Sequence, residues 1–535
     1  MTTHITKPQC RLPVTRFSGT GCAQGEKTAV RRFEKIPDPV HTKPEFLIKF
    51  IIFVSIGVVI LSAIMSFDRI ESTHEFMNQN AWGSWFLLWG KIFLGVSLAA
   101  FLWRLYLVCR YRPAPACLDA QLPVCTVVVP AYNEGQQVLA TLKSLAANDY
   151  PPEKLKIIAV DDGSADDTWH WIQSAKRELT GRILTIKLPV NRGKRHALYA
   201  GFQKSIGEVL VTVDSDSVVD RQTLRQLVSP FVQNQRVGAV AGNVRVLNRH
   251  KGIIPRMLDI IFVFSFDFMR ASQSMVDTVM CTPGALSAYR RSIVMNVLEE
   301  WLGQTFFGKP ANIGEDRAMT NLILREGHFV RFQQNAIVYT NVPVGYNNLC
   351  RMFLRWARSN IRESIVMSCF IFRRFRTESM LGARINLILQ LLSLTKSQAL
   401  LAVTLICFVW QPTVFGVNIL VGVVIGSSFP AVLYALKRRS SDCLLAYLYG
   451  IFWMIGLTWI TPFALLTPHK SGWLTRQIKK TDAPSGEPVP AAFPGIRGSL
   501  VEVVPPSMNT TTANSLVAPY MLQPHCNRRV SAKSV

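Results

Sequence analysis

The sequence predicts an α/β domain on a mostly parallel, doubly wound sheet, flanked by membrane-spanning segments. Two patterns predict it. Between residues 125 and 217, strand-like apolar runs alternate with helical ones. On both sides of that block lie long runs with few or no charges. The bulk composition agrees. Of 535 residues, 49% are hydrophobic and 17% charged, and the mean hydropathy of +0.21 is too apolar for an ordinary soluble protein.

The first membrane candidate is "FIIFVSIGVVILSAIMSF", Phe50 to Phe67, which carries no charge. It begins too deep in the chain for a cleaved leader. "WFLLWGKIFLGVSLAAFLWRLYLVC", Trp85 to Cys109, is the second and contains Lys91 and Arg104. The loop between them, Asp68 to Ser84, holds three acids and one base, whereas Arg110 and Arg112 follow the second run. Positive charge collects on the cytoplasmic side, so residues 110 to 384 are expected there, with the N-terminus. Ile385 to Trp410, Thr413 to Leu436 and Leu444 to Thr467 are further apolar runs, and "KRRSS" at Lys437 fits a return to the cytoplasm. A full crossing by the last run would put "HKSGWLTRQIKK" outside, against the charge rule, so this segment is expected to be re-entrant or interfacial. Lys91, Gln390 and Lys396 either line a polar path or, for Lys91, snorkel to the lipid boundary.

The expected organisation is a tail at 1–45, a membrane hairpin at 46–110 and a cytosolic domain at 120–345. Amphipathic interface helices at 346–383, membrane segments at 384–467, a short element at 468–480 and a tail at 481–535 complete it. Both tails are rich in Pro, Ser, Thr and charge without periodicity. The formal charge of +25 does not indicate a nucleic-acid partner, because no helix-turn-helix, zinc-knuckle or RNA-binding aromatic pattern accompanies it. Basic loops beside a lipid bilayer account for the excess. The eleven cysteines include no C-x-x-C pair, which fits reduced thiols and not structural zinc.

Within the cytosolic block "CTVVVP", "KIIAVDD", "RILTIKL" and "EVLVTVDSDS" read as strands, each of the first three followed by a helical pattern. Polar residues gather at the strand ends: Asn133 and Glu134, Asp161 and Asp162, Asp214 and Asp216. Ligands of such sheets bind at the carboxyl ends of strands. Acids one residue apart on a strand share a face, so Asp214 and Asp216 are expected to reach one ligand together. A divalent cation, Mg²⁺ or Mn²⁺, would relieve their repulsion and admit an anionic diphosphate. No G-x-G-x-x-G follows the first strand, and "NRGKRHAL" lacks the features of a P-loop.

Four ordered motifs, "VVPAYNE", "DDGS", "NRGKR" and "DSDS", resemble those of family 2 glycosyltransferases of GT-A (Rossmann-like) fold. "CTPGALSAYR", "GEDRAMTN" and "RWARSNIRES" narrow the resemblance to processive membrane polysaccharide synthases, nearest the hyaluronan and nodulation chitooligosaccharide synthases. "YGIFWMIGLTWITPFALLTPHKSGWLTR" resembles their C-terminal end with its W-x-T-R element. The chain departs from the family's Q-x-x-R-W at Met352, where Gln is expected, and its "TPGA" leans towards cellulose-like synthases.

The resemblance implies an inverting transfer from a UDP-sugar to a growing polysaccharide. Asp316 is then the expected base, with Glu315 the alternative; a salt bridge from Asp316 to Arg317 is the structural reading. Asp216 is the expected metal ligand, with Asp214 on metal or ribose. Asp161 and the turn Ala131, Tyr132, Asn133 and Glu134 are expected to hold uridine, and Asp162 either joins them or caps a helix. Lys194 and Arg195 either pair with acids or reach the nucleotide. Arg355 is expected to clamp the diphosphate and Trp356 to stack on the acceptor, on a basic amphipathic helix at the membrane surface. Trp473, Thr475 and Arg476 are expected to close over the nucleotide. The product, a β-linked polymer, would be exported across the cell membrane. A single-sugar transferase acting on a lipid carrier and a catalytically silent channel or scaffold are the competing readings.

Overall fold

The computed structural model describes residues 44–179, 181–410 and 412–470, all within one compact unit. Trp473, Thr475, Arg476 and most of both tails lie outside the described residues, as does the side chain of Lys396.

Two long helices open the described chain, α1 (Pro44–Gln79) and α2 (Ala81–Arg110). They reverse at Asn80, and the turn depends on Gly83: a Cβ there would meet the Met77 carbonyl oxygen at 2.2 Å. Among the described residues, Ala81–Arg110 and Ile419–Arg438 are long and apolar enough to cross a membrane. The pair Ser441–Leu457 and Ile460–Leu466 passes the same test only as one unit, and it bends by 41°. That break lies in the segment whose charge pattern disfavours a simple crossing. Phe46–Ser62 and Leu381–Leu394 are shorter apolar stretches.

The elements of the α/β domain follow in order. They are β1 (Cys125–Ala131), α3 (Gln137–Ala146), β2 (Leu155–Asp161), α4 (Thr168–Glu178), β3 (Ile183–Lys187), α5 (Lys194–Gln203), β4 (Val209–Val213) and β5 (Ser217–Val219). Next come α6 (Thr223–Gln233), β6 (Val237–Val246), α7 (Ile253–Val263), a π-helical stretch (Phe264–Arg270), α8 (Ala271–Ser274), β7 (Leu286–Arg290) and α9 (Arg291–Leu302). The small hairpin β8 (Thr305–Phe306) and β9 (Lys309–Pro310), then α10 (Glu315–Arg325) and β10 (Phe329–Thr340), complete the domain. The chain continues through α11 (Tyr346–Ile371), α12 (Leu381–Trp410), α13 (Pro412–Arg438), α14 (Leu445–Phe452) and α15 (Ile460–Leu466).

The eight-stranded sheet has the order β3-β2-β1-β4-β7-β6-β10-β5. Its first four strands are parallel, as expected, and β1 and β4 are buried along their whole length. Burial on both faces is why they read as nearly continuous apolar runs, each with a single threonine. The rest of the sheet is mixed: β7 runs antiparallel to both β4 and β6, β10 is parallel to β6, and β5 is antiparallel to β10. The acidic pair also differs from expectation. Strand β4 ends at Val213, so Asp214 and Asp216 stand on a turn and not on a strand face. There the chain leaves its β1 and β7 neighbours to pair with β10, and the Ser217 N–H donates to the Asp214 carbonyl at 3.1 Å.

Helix α7 joins the domain to the apolar helices. Ile260 and Val263 share a buried cluster with Leu47 and Ile51 of α1 and with Ala431, Tyr434 and Ala435 of α13. The buried Asp259 carboxylate on the same helix accepts from the Tyr434 hydroxyl at 2.7 Å. Helix α11 lies against α10, α12 and α15.

Candidate active site

The carboxyl ends of β1 and β2 meet where the Asp162 N–H donates to the Ala131 carbonyl at 2.9 Å. Beyond Ala131 the chain turns sharply, with Asn133 in the left-handed region at φ 51°. An asparagine tolerates that conformation when its amide is used locally. Here the Asn133 side chain accepts from the Ala165 N–H at 2.9 Å, and its own N–H donates to Ser164 Oγ at 3.0 Å. The N–H groups of Glu134 and Gly135 both donate to Thr168 Oγ1, at 2.8 and 2.9 Å. Glu134 Oε1 accepts from Ser215 Oγ at 2.9 Å, so this turn is tied to the acidic turn after β4. Tyr132 is half-buried in the same loop.

Asp161 is fully buried, and burial raises its pKa. One oxygen accepts from the Ser164 N–H at 3.1 Å; the other, Oδ2, has no partner. An orphaned buried carboxylate oxygen is uncommon, and it requires a donor. Asp162 has a different task. It accepts the N–H groups of Arg192 and Gly193 at 3.0 and 2.8 Å, and burial pushes its pKa up to about 6. It anchors the 191–193 loop and caps no helix, since α4 begins after Asp167. Gly163 (φ 69°) permits the approach, because a Cβ there would lie 2.6 Å from the Asn191 nitrogen.

That anchored loop delivers Lys194 and Arg195 in opposite directions. Lys194 Nζ lies 2.5 Å from Asp214 Oδ1 and 3.1 Å from Glu315 Oε1. Burial works against its charge, but Asp214, Glu315 and Asp316 together hold it above the ordinary lysine range. Arg195, expected either to pair with acids or to reach the nucleotide, instead makes its hydrogen bonds in the protein interior. It is 3% exposed, lies over the Trp301 ring, and donates to the Trp301 carbonyl at 2.6 Å. Burial lowers its pKa to about 10.

Helix α10 starts at Glu315, directly after Gly314 at φ 69°. Asp316 Oδ2 accepts from the Gly284 N–H at 3.3 Å and lies 3.6 Å from Cys281 Sγ, while Oδ1 accepts from the Arg317 N–H at 2.8 Å. Burial and then the neighbouring Glu315 charge raise the Asp316 pKa. Burial would raise Glu315 too, but Lys194 and then Arg355 hold it below the ordinary range. Arg317 contributes its backbone to Asp316 and forms no ion pair with that carboxylate. Glu315 and Asp316 border a small cavity of about 10 Å³ lined also by Gly284, Tyr289 and Met319.

Arg355 therefore bears electrostatically on Glu315 from α11. Trp356, next to it, is 41% exposed and contacts Phe353 and Phe262, with ring centres 5.6 and 6.3 Å away. Met352 is buried in the main core, so the position where glutamine was expected is an apolar one here.

Among the described residues no three His, Cys, Asp or Glu side chains are grouped to hold a metal ion by themselves. Asp214 and Asp216 on one short turn fit a weaker demand. Mg²⁺-type sites commonly take one or two carboxylates and complete their shell with substrate phosphates and water. Asp214 is partly exposed and paired with Lys194, and Asp216 Oδ1 lies 3.4 Å from Thr340 Oγ1. The sequence reading missed Ser215, Cys281, Gly284 and Trp301. Cys281 and Gly284 lie inside a quoted motif, but their placement beside Asp316 follows from the antiparallel position of β7.

Residues 126–298 match the family described as Glycosyl transferase family 2. An N-acetylglucosaminyltransferase of Azorhizobium caulinodans is 31% identical over 366 residues, which is 66% of this chain and 88% of that protein. A hyaluronan synthase of Streptococcus pyogenes is 35% identical over 244 residues, 45% of this chain and 57% of that protein. A mannosyltransferase of Pyrobaculum calidifontis, solved with GDP-Man and Mn²⁺, aligns with 70% of this chain and 97% of its own at 20% identity and a TM-score of 0.48.

Proposed function

The chain belongs to glycosyl transferase family 2, and from that premise we propose that it is a processive, inverting synthase that polymerises sugar from a UDP-sugar donor. The observation that carries this reading is the Lys194 bridge. One ammonium spans the donor-side turn at Asp214 and the helix that bears Glu315 and Asp316. Donor and acceptor chemistry are thereby held within a side chain's length of each other.

In this reading the unpartnered Asp161 Oδ2 accepts a ring N–H of uracil, and the Ala131–Glu134 turn encloses the nucleoside. Asp316 accepts the proton of the acceptor hydroxyl, aided by its raised pKa. The acceptor oxygen bonds to the anomeric carbon from the face opposite the leaving group, the bond from that carbon to the phosphate oxygen breaks, and UDP departs with the electron pair. Asp214 and Asp216 would hold a divalent cation, Mg²⁺ or Mn²⁺, whose charge neutralises the leaving diphosphate. The diphosphate also offers Lys194 a new anionic partner, which frees Asp214 to take up that task. Arg355 approaches the diphosphate from α11, and Trp356 supplies an exposed ring for the acceptor sugar.

The apolar helices α2 and α13 support a membrane location with the catalytic domain on the cytoplasmic side, and export of the polymer past those helices. The Azorhizobium relative is named for N-acetylglucosamine, which makes UDP-N-acetylglucosamine the first donor to try. The test is synthesis by the purified full chain in detergent with Mg²⁺ or Mn²⁺ and a panel of UDP-sugars. Long polymer is expected. A single glycolipid would favour the lipid-carrier transferase, and no UDP release from any donor would overturn the reading.

A further inference from the structure

Behind the site lies a buried polar cluster that the reaction does not use. Helix α11 places Arg355, Ser359 and Glu363 four residues apart, and side chains at that spacing form one ridge along a helix. The ridge lies over the start of α10. At one end Arg355 acts on Glu315. In the middle, Ser359 packs so closely on Gly314 that a Cβ there would lie 1.8 Å from Ser359 Oγ. At the far end Glu363 is 3% exposed.

Glu363 collects several donors. Its carboxylate accepts from Arg362 Nε at 3.0 Å and from Asn321 Nδ2 of α10 at 3.0 Å, and Gln304 Nε2 approaches at 3.5 Å. Its carbonyl accepts from the same Asn321 nitrogen at 2.9 Å. Arg362 in turn donates to the carbonyl of Ile313, in the turn that leads into Glu315 and Asp316. Gln304 Oε1 accepts from Arg195 Nη1 at 3.2 Å, and Arg195 is the chain neighbour of Lys194. Two other Arg195 nitrogens are buried without partners.

We infer that Glu363 is a positioning residue. It locks the helix that carries Arg355 and Trp356 to the helix that carries Glu315 and Asp316, and through Gln304 it steadies the loop that presents Lys194. It touches neither donor nor acceptor. Its effect is to keep the groups on α11 in register with the acids on α10, which displacements of about 1 Å would spoil.

The inference rests on the synthase reading, and the experiment separates the two. Glu363→Gln keeps the shape but removes the charge, and Asn321→Ala removes the bond from α10. Both full-length variants are measured for UDP release, for sugar incorporated and for amide hydrogen exchange. For Glu363→Gln, kcat for polymer is expected to fall about tenfold with donor KM changed less than about threefold, and sugar incorporated per UDP released also falls. Exchange should quicken at residues 313–318 and 355–363 while β1 and β4 stay protected. Asn321→Ala should reproduce the pattern more weakly, and decides the matter if Glu363→Gln does not fold. Loss of protection throughout the sheet in both variants, or unchanged exchange at 313–318 with wild-type coupling, overturns the inference. A wild-type chain that makes no polymer sinks the synthase reading, while the exchange pattern still reports on the lock.

Discussion

The ammonium of Lys194 lies 2.5 Å from the Asp214 carboxylate, across the gap between the start of α5 and the turn after β4. Its second partner, Glu315, is 3.1 Å away on α10. Three segments distant in sequence therefore meet at one cation. Removing Lys194 leaves two carboxylates facing each other without the cation they share.

Lys194→Gln is expected to reduce kcat/KM for the donor by at least about tenfold, because Asp214 and Glu315 then repel each other and the diphosphate loses a cation. Steady-state UDP release checks this. Unchanged kinetics would mean that the bridge has no role in the reaction.

The pH dependence follows from Asp316. Its active form is the carboxylate, which is lost as pH falls through its pKa, and burial and Glu315 raise that pKa. The acid limb of the rate profile should thus lie above the ordinary carboxylate range. Glu315→Gln removes the neighbouring negative charge and should move the limb to lower pH; Lys194→Gln removes an opposing positive charge and should move it higher. A limb fixed in both variants would point to another base.

Arg195 is expected to matter for stability and not for donor affinity. Arg195→Lys loses the flat contact with Trp301 and the bond to its carbonyl. A loss of about 1–3 kcal/mol, read as a lower midpoint of thermal unfolding, should accompany a donor KM within about twofold of wild type. A large rise in KM with unchanged stability would restore the nucleotide contact.

These contrasts show what the sequence discloses. The four parallel strands were legible because burial on both faces makes β1 and β4 nearly continuous apolar runs. The acids at their ends were legible because polar residues interrupt those runs at one edge. The opposite directions of Lys194 and Arg195 were not, since adjacent residues at a helix start diverge and only packing against Trp301 tells them apart. Nor was the antiparallel β7, whose five residues carry no mark of strand direction. Glu363 was hidden for a related reason: on a basic amphipathic helix an acid reads as a surface residue until α10 is laid against it.

Gly314 gives a test of the approach between α10 and α11. It adopts φ 69° and has no room for a Cβ beside Ser359. Gly314→Ala should abolish measurable synthesis. Gly314→Ala with Ser359→Gly relieves the collision but not the backbone strain of about 1–2 kcal/mol, so partial recovery is expected. No recovery would mean that strain, and not the α11 contact, dominates at this position.

The most direct measurement compares wild type with Asp316→Asn in the same membrane-reconstituted assay, following UDP release, polymer and donor binding together. The variant is expected to bind the UDP-sugar with near-wild-type affinity and to lose polymer and UDP release by about 10³-fold or more, since an amide cannot accept the hydroxyl proton. Polymer formation that continues at the wild-type rate in Asp316→Asn would contradict the account.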